Sequence, residues 1–236
     1  MLGNDWLALI VTFLLALLWL RLNDFLAHKG LVSSSLSRKI IHIGTGPLFV
    51  VCWLLFTDSL LARFLASLVP LAISVQFALV GFGIIKDQAA VDAMSRSGDR
   101  QEILRGPLLY GIMFVIITLV YWRNSPIGII ALMLLCGGDG LADIVGNRTQ
   151  GARLPWSARK SWAGSLAMFL GGWTFAVLLV GIYHWAGAFS GSLVHYLPAI
   201  TAISFFGSVI ESLPFNDIDN VTVPVVAIWL GHLILP

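Results

Sequence analysis

The sequence predicts an all-α protein, a polytopic helix bundle embedded in a membrane, and its composition and charge carry that prediction. Hydrophobic residues make up 58% of the 236 residues and charged residues only 11%, against roughly 25% charged in ordinary soluble domains. The mean hydropathy of +0.91 points the same way. A soluble chain of this length could not bury so much apolar surface in one core, so lipid must solvate much of it.

Eight apolar stretches are candidate membrane-spanning helices, and the polar segments between them are only loop-sized. A membrane helix needs about 20 apolar residues, with a range of about 17–25. Two of the stretches, the second and the last, are short by that standard, so we predict seven or eight spans in a single membrane domain over 1–236. The stretches lie near residues 5–22, 43–57, 60–85, 107–122, 126–146, 162–186, 193–212 and 221–235.

The basic residues predict an orientation. Twelve of the fourteen Lys and Arg residues lie in or beside three alternate loops, 23–42, 86–106 and 147–161. Because short cytoplasmic loops are enriched in Lys and Arg, we predict that the N-terminus lies outside and that these loops, with 213–220, form a cytoplasmic face. The first apolar run lacks a basic leader and a small-residue cleavage site, so we interpret it as a retained helix.

Two acids lie near the predicted cytoplasmic end of the fifth span, where a membrane helix normally has none. Asp139 and Asp143 are four residues apart and so share one helix face. Pairing with Arg or Ser on neighbouring helices is one interpretation, but function is the default for intramembrane acids. Gly138 and Gly140 would let the helix open and offer backbone N–H groups to an anion. We predict that the two acids bind Mg²⁺ that bridges phosphate oxygens.

Cations and a hydroxyl flank the starts of two spans on the same predicted face. They suit phosphate binding, especially beside a helix N-terminus, although basic residues also flank cytoplasmic helix ends for topological reasons alone. The candidates are Arg38, Lys39, Arg159, Lys160 and Ser161. His42 shares a helix face with Arg38 and is as consistent with an interfacial histidine as with a functional one.

The segment before the last span is acidic and has no cation. Glu211, Asp217 and Asp219 lie there, and a loop without Lys or Arg cannot set topology. We therefore predict that it supplies a base or a second metal site. The chain has no basic stripe interleaved with aromatics, so no nucleic-acid partner is predicted, and no P-loop motif is present.

Seven stretches, in order along the chain, together resemble the polyprenol kinase family, in its short branch of phytol and farnesol kinases. They are 37–42 (SRKIIH), 104–110 (LRGPLLY), 122–128 (WRNSPIG), 137–143 (GGDGLAD), 159–165 (RKSWAGS), 211–214 (ESLP) and 219–224 (DNVTVP).

The resemblance implies a kinase that transfers a phosphoryl group from a nucleoside triphosphate, often CTP, to an isoprenoid alcohol in the bilayer, with Mg²⁺ as the cofactor. The related dolichol kinases are longer, which favours a shorter alcohol such as phytol, whose phosphate feeds tocopherol synthesis. In this scheme Asp139 and Asp143 hold Mg²⁺, and the basic candidates hold the triphosphate. Asp219, or else Asp217 or Glu211, is the base or holds a second metal, and His42 is a further catalytic candidate.

The sequence also predicts a location and leaves two other functions open. Because the sequence shows no Ser/Arg-rich transit segment, we expect a bacterial or cyanobacterial member of the family. It would lie in an inner or thylakoid membrane with its active face cytoplasmic. The first alternative is a CTP-dependent lipid cytidylyltransferase. The second is an ion- or proton-coupled transporter, although the chain lacks the related halves usual in transporters. The sequence indicates no oligomeric state.

Overall fold

The computed structural model describes residues 3–95, 98–149, 151–214 and 218–235. Within those ranges it describes the backbone but not the side chains of Asp24, Ala27, His28, Ser34, Ser35, Arg38, Asp92 and Ala93. The α-helices of these ranges are α1 (Asp5–His28), α2 (Ser34–Cys52), α3 (Leu60–Gly81), α4 (Gln88–Met94), α5 (Gly106–Tyr121), α6 (Pro126–Met133), α7 (Asp139–Arg148), α8 (Trp162–Trp185), α9 (Leu193–Ser212) and α10 (Asp219–Ile234). A π-helical turn, Leu134–Gly138, joins α6 to α7, and a two-stranded antiparallel hairpin of β1 (Arg153–Leu154) and β2 (Ser157–Ser161) precedes α8.

Six helical stretches of the described residues are long and apolar enough to cross a membrane, and two shorter apolar helices accompany them. The six are Asp5–Asn23, Leu60–Gly81, Arg100–Asn124, Pro126–Arg148, Trp162–Trp185 and Leu193–Ser212. The two shorter ones, Lys39–Leu55 and Asp219–Ile234, fall on the two stretches that were short in the sequence. The prediction of an all-α polytopic membrane bundle is therefore confirmed.

Some helix ends differ from the apolar stretches because local capping decides them. The side chain of Ser33 accepts from the amide of Leu36, so α2 begins nine residues before the apolar run at 43. Lys39 and His42 consequently lie inside a helix rather than ahead of one. The third helix ends at Gly81 rather than at 85, where Gly83 adopts a positive φ of 76° that favours glycine.

The helix that carries Asp139 runs through the middle of the bundle. Of an 18-residue apolar segment within Pro126–Arg148, 78% is buried inside the bundle, against 11% of the corresponding segment of Asp5–Asn23. It packs against α2, α5, α8 and α10. Small residues allow a close approach to α8, since a Cβ on Gly164 would lie 3.4 Å from the Gly146 Cα. The two predicted acids thus belong to the most enclosed helix.

The end of the bundle that holds the N-terminus is tied together by polar contacts between loops. Asp5 accepts hydrogen bonds from the amide and hydroxyl of Thr57, both 2.8 Å long. Arg123 donates to the carbonyl of Phe56 at 2.7 Å. The N-terminus and the loops around 57 and 123 therefore lie together, and the alternating helices carry the hairpin of β1 and β2 and the start of α10 to the other end.

Candidate active site in a polar cavity of the bundle

A polar cavity of about 340 Å³ opens at the end of the bundle opposite the N-terminus. Residues of α2, α7, α8, α9, α10 and the hairpin line it. Eight of the residues predicted from the sequence are among them: Lys39, Asp139, Asp143, Arg159, Lys160, Ser161, Glu211 and Asp219. The structure therefore brings the predicted acids and cations, which are far apart in the chain, to one site.

Three carboxylates meet in this cavity. Asp139 is the first residue of α7, Glu211 lies in the last turn of α9, and Asp219 is the first residue of α10. One oxygen from each lies within 4.8 Å of the other two. Because Mg²⁺ takes oxygen ligands at about 2.0–2.1 Å, ligands on opposite sides of the ion are about 4 Å apart. A small contraction of this group would suit a divalent cation, so the donor set fits the Mg²⁺ that the family resemblance implies.

Lys160 stands against two of these carboxylates. Its ammonium bonds to Glu211 and lies 3.4 Å from Asp219 Oδ2. Burial lowers the pKa of Lys160, but the negative charges of Glu211, Asp219 and Asp139 outweigh burial and leave the pKa above its usual value. Lys160 is therefore a permanent positive charge in the cavity.

The third carboxylate, Asp139, faces the second helix. His42 Nε2 lies 3.6 Å from Asp139 Oδ2. The His42 ring is in turn 4.5 Å, between centroids, from the ring of Tyr110, whose hydroxyl donates to the His42 carbonyl at 3.2 Å. Two stretches that carry the family resemblance, 37–42 and 104–110, thus meet beside the acid of a third, 137–143.

Asp143 also lines the cavity but has different partners. Its carboxylate forms an ion pair with Lys39 and accepts a hydrogen bond of 2.6 Å from Asn147. The group of three carboxylates contains Asp139 but not Asp143. The structure thus separates the two acids that the sequence pairs, and the assignment of either to a metal stays a prediction.

The N-terminus of α8 forms a further wall of the cavity. The side chain of Ser161 caps this helix by accepting from the Gly164 amide at 3.2 Å. One turn later, Ser165 Oγ is buried and has no hydrogen-bond partner among the described residues. Ser165 lies in the motif 159–165 but was not among the predicted site residues; its signal is the i+4 spacing from the capping serine.

The glycines beside Asp139 pack closely against neighbouring helices. Gly138 ends the π turn against Met168, and Gly140, in α7, lies against Ile43 of α2. Neither lines the cavity. Their missing side chains bring neighbouring helices close, and their role in binding an anion stays a prediction. Two other predicted residues, the side chain of Arg38 and all of Asp217, lie outside what the structure describes.

Asn220 is a further residue that sequence reasoning passed over. Its side-chain amide donates to the Gly106 carbonyl at 3.4 Å and so ties the start of α10 to the start of α5. Both residues belong to motifs of the resemblance, 219–224 and 104–110. That both residues lie in motifs of the resemblance is the signal that could have indicated their contact. The contact helps to position Asp219, the residue before Asn220, in the cavity.

Comparison with known proteins finds plant relatives over most of the chain. The chain is 40% identical over 216 residues to the probable phytol kinase, chloroplastic, of Triticum aestivum, which covers 91% of this chain and 72% of the relative. It is 38% identical over 234 residues to probable phytol kinase 3, chloroplastic, of Glycine max, covering 98% and 73%. It is 36% identical over 212 residues to phytol kinase 1, chloroplastic, of Arabidopsis thaliana, covering 89% and 70%. No family model and no solved structure matches it.

Proposed function

The chain belongs to the phytol kinase family, and from that premise we propose that it transfers the terminal phosphoryl group of a nucleoside triphosphate to the hydroxyl of phytol, giving phytyl phosphate. The observation that carries the proposal is the meeting of three carboxylates in one cavity, with Asp139 set back from the end of its own helix. Asp139 lies nine residues before the end of the stretch Pro126–Arg148, which is about 14 Å along the helix axis. Hairpin residues such as Ser157 and Arg159 line the same cavity. One cavity can thus receive a water-soluble donor at its mouth and a lipid-dissolved alcohol at its floor.

The cavity offers the charges that phosphoryl transfer requires. Asp139, Glu211 and Asp219 would hold Mg²⁺, which neutralises charge on the phosphate oxygens when it is bound. Lys160 and Lys39 would hold the triphosphate, because the cavity confines both ammonium groups near the carboxylates. Arg159 and the capped N-terminus of α8, at the same wall, would support the phosphates nearer the mouth.

Of the two acids that face Lys160, Asp219 is the one we expect to accept the proton of the alcohol, through the carboxylate oxygen that does not hold the metal. Its side chain is 20% exposed, against 4% for Glu211, so it is more open to the cavity. In the proposed reaction the alcohol oxygen forms a bond to the terminal phosphorus and the bond from that phosphorus to the bridging oxygen breaks. The hydroxyl proton passes to Asp219, and the nucleoside diphosphate leaves.

The donor and the location extend the same proposal. We infer CTP as donor from the resemblance to the polyprenol kinases, and a cytoplasmic active face from the predicted orientation, because nucleoside triphosphates are dissolved there. The proposed membrane is a bacterial inner membrane or a cyanobacterial inner or thylakoid membrane, whereas the plant relatives are named as chloroplastic proteins.

A labelling experiment with purified protein in detergent or lipid nanodiscs tests the function. Phytol is incubated with Mg²⁺ and CTP labelled at either the γ or the α phosphorus. We expect label in the lipid from the γ position alone, with CDP released. Label from the α position with release of pyrophosphate would indicate cytidylyl transfer instead. A lipid that stays unlabelled with CTP, UTP, ATP and GTP, for phytol, geranylgeraniol and farnesol, would refute the kinase.

A further inference from the structure

Lys160 holds the cavity's carboxylates in the way that a bound cation would. Its ammonium lies between Glu211 and Asp219, which come from different helices. One oxygen from each of these two acids and one from Asp139 lie within 4.8 Å of one another. Without a cation, three carboxylates so close together would repel one another. Lys160 therefore stabilises the arrangement that a metal would otherwise stabilise.

The total charge of the three carboxylates could balance both a divalent cation and Lys160, but the two cations could not bind the same carboxylates together. When ionised, the three acids carry three negative charges, against the single positive charge of Lys160. A divalent cation would balance the remaining two. It would, however, need oxygens from the same two carboxylates, Glu211 and Asp219, that Lys160 contacts, and two cations at bonding distance from this one pair of carboxylates would repel each other.

Lys160 has an alternative place to go. It is the penultimate residue of β2 and precedes Ser161, the cap of α8, so its backbone lies beside a helix N-terminus that favours anions. The four-carbon side chain of Lys160 is flexible, and its ammonium can turn within the cavity that Lys160 and Ser161 both line. A phosphate group near Ser161 would therefore be within reach of the Lys160 ammonium.

We propose that Lys160 occupies the cation position of the metal-free protein and gives it up when a divalent cation binds, so that Lys160 becomes available to a phosphate only in the metal-loaded site. The inference rests on the proposed function for the identity of the metal site. It makes Lys160 a competitor of the metal as well as a phosphate ligand. The consequence is that removing Lys160 strengthens metal binding, the opposite of what is expected when a phosphate ligand is lost from a site.

Titration with Mn²⁺, followed by the electron paramagnetic resonance signal of the free ion, tests the exchange in the full-length purified protein. No nucleotide or alcohol is added, so the result does not depend on kinase activity. We expect K160M and K160Q both to bind Mn²⁺ at least about tenfold more tightly than the wild type, because a competing charge is removed from the same oxygens. Affinity that is unchanged or weaker in either variant would overturn the inference.

Two control variants show at which carboxylates the measured Mn²⁺ binds. K39M removes the other cavity lysine, which pairs with Asp143 rather than with Glu211 and Asp219, and it should tighten Mn²⁺ binding by clearly less than K160M does. D139N combined with K160M should lose the tightened binding. Tightening in K39M rather than in K160M would place the metal at Asp143 and refute the exchange. A wild type and variants that bind no Mn²⁺ would also refute it, while the labelled-nucleotide assay would still decide on phosphoryl transfer.

Discussion

Asp139 and Asp143 lie one helical turn apart, yet their partners give them different chemistry. Asp139 meets the carboxylates of Glu211 and Asp219, whereas Asp143 is held by Lys39. A carboxylate in the first group would touch the metal directly. The other would act through the position of a lysine.

We therefore expect D139N, E211Q and D219N each to lower turnover by about 100-fold or more, as loss of direct charge stabilisation does. D143N should cost only about tenfold, as for a residue that positions another. Turnover measured as a function of Mg²⁺ concentration checks both expectations, and D143N should leave the Mg²⁺ requirement unchanged. A D143N variant that needs as much extra Mg²⁺ as D139N would restore the pair predicted from the sequence.

Ser165 provides a second prediction at the scale of one side chain. Its buried hydroxyl has no partner among the described residues, and an unsatisfied buried polar group costs about 1–3 kcal/mol. Replacing it by alanine should not lower the melting temperature. If the hydroxyl donates to a phosphate oxygen during the reaction, S165A should lower turnover by about tenfold, since a hydrogen bond to a charged group contributes about 1.5–3 kcal/mol.

The matched control for Ser165 is Ser204, another serine in the bundle. Its hydroxyl is also buried and without a partner among the described residues, but it lies in the middle of α9 and does not line the cavity. S204A should behave like S165A in thermal unfolding and keep wild-type turnover. Equal activity in both variants would show that the Ser165 hydroxyl has no part in the reaction.

At the scale of helices, the spacing of α8 from the π turn sets the shape of the cavity. A Cβ on Gly171 would lie 2.9 Å from the Gly137 carbonyl and 2.7 Å from Leu141 Cδ1. G171A should therefore push the helices apart, lower the free energy of unfolding by about 1–3 kcal/mol and reduce turnover, because the Ser161 wall moves away from Asp139. Gly181, in the same helix, has only an ordinary contact of 3.6 Å to Leu193, so G181A is the control.

Thermal unfolding and turnover of both glycine variants, in the same detergent, give the comparison. G181A should keep full activity and gain up to about 1 kcal/mol from the better helix propensity of alanine. If G171A were as stable and active as G181A, close packing at Gly171 would not be what fixes the cavity.

The helices also show what the sequence can and cannot predict. The spans follow from hydropathy because a backbone in lipid must satisfy its hydrogen bonds within each helix. The meeting of Asp139 with Glu211 does not follow, because it depends on how α7, α9 and α10 pack, and no spacing along the chain encodes that. The π turn at Leu134–Gly138 and the hairpin at 153–161 were also missed. Both are short irregular features fixed by tertiary contacts, such as that of Trp156 in the hairpin turn with Ser212.

At the scale of the whole molecule, charge is divided between the two ends of the bundle. Among the Lys and Arg residues that the structure describes, Arg63 and Arg123 are the two that fall toward the end that holds the N-terminus. Both donate to backbone carbonyls, Arg63 to Leu119 at 3.2 Å and Arg123 to Phe56 at 2.7 Å, so each has a structural use there. These exceptions therefore do not weaken the positive-inside argument, from which we predict that the cavity lies on the cytoplasmic side.

Labelling of introduced cysteines in intact cells tests that orientation, and with it the access of the cavity to nucleotides. Lys86 is exposed between α3 and α4, and Ala186 is exposed after α8, so the helix order places them at opposite ends. Both native cysteines, Cys52 and Cys136, are buried and should add little background. A membrane-impermeant maleimide should label A186C in intact cells and K86C only after permeabilisation. The reverse pattern would open the cavity to the outside, where nucleoside triphosphates are scarce, and a kinase that draws its donor from the cytoplasm could not work in that orientation.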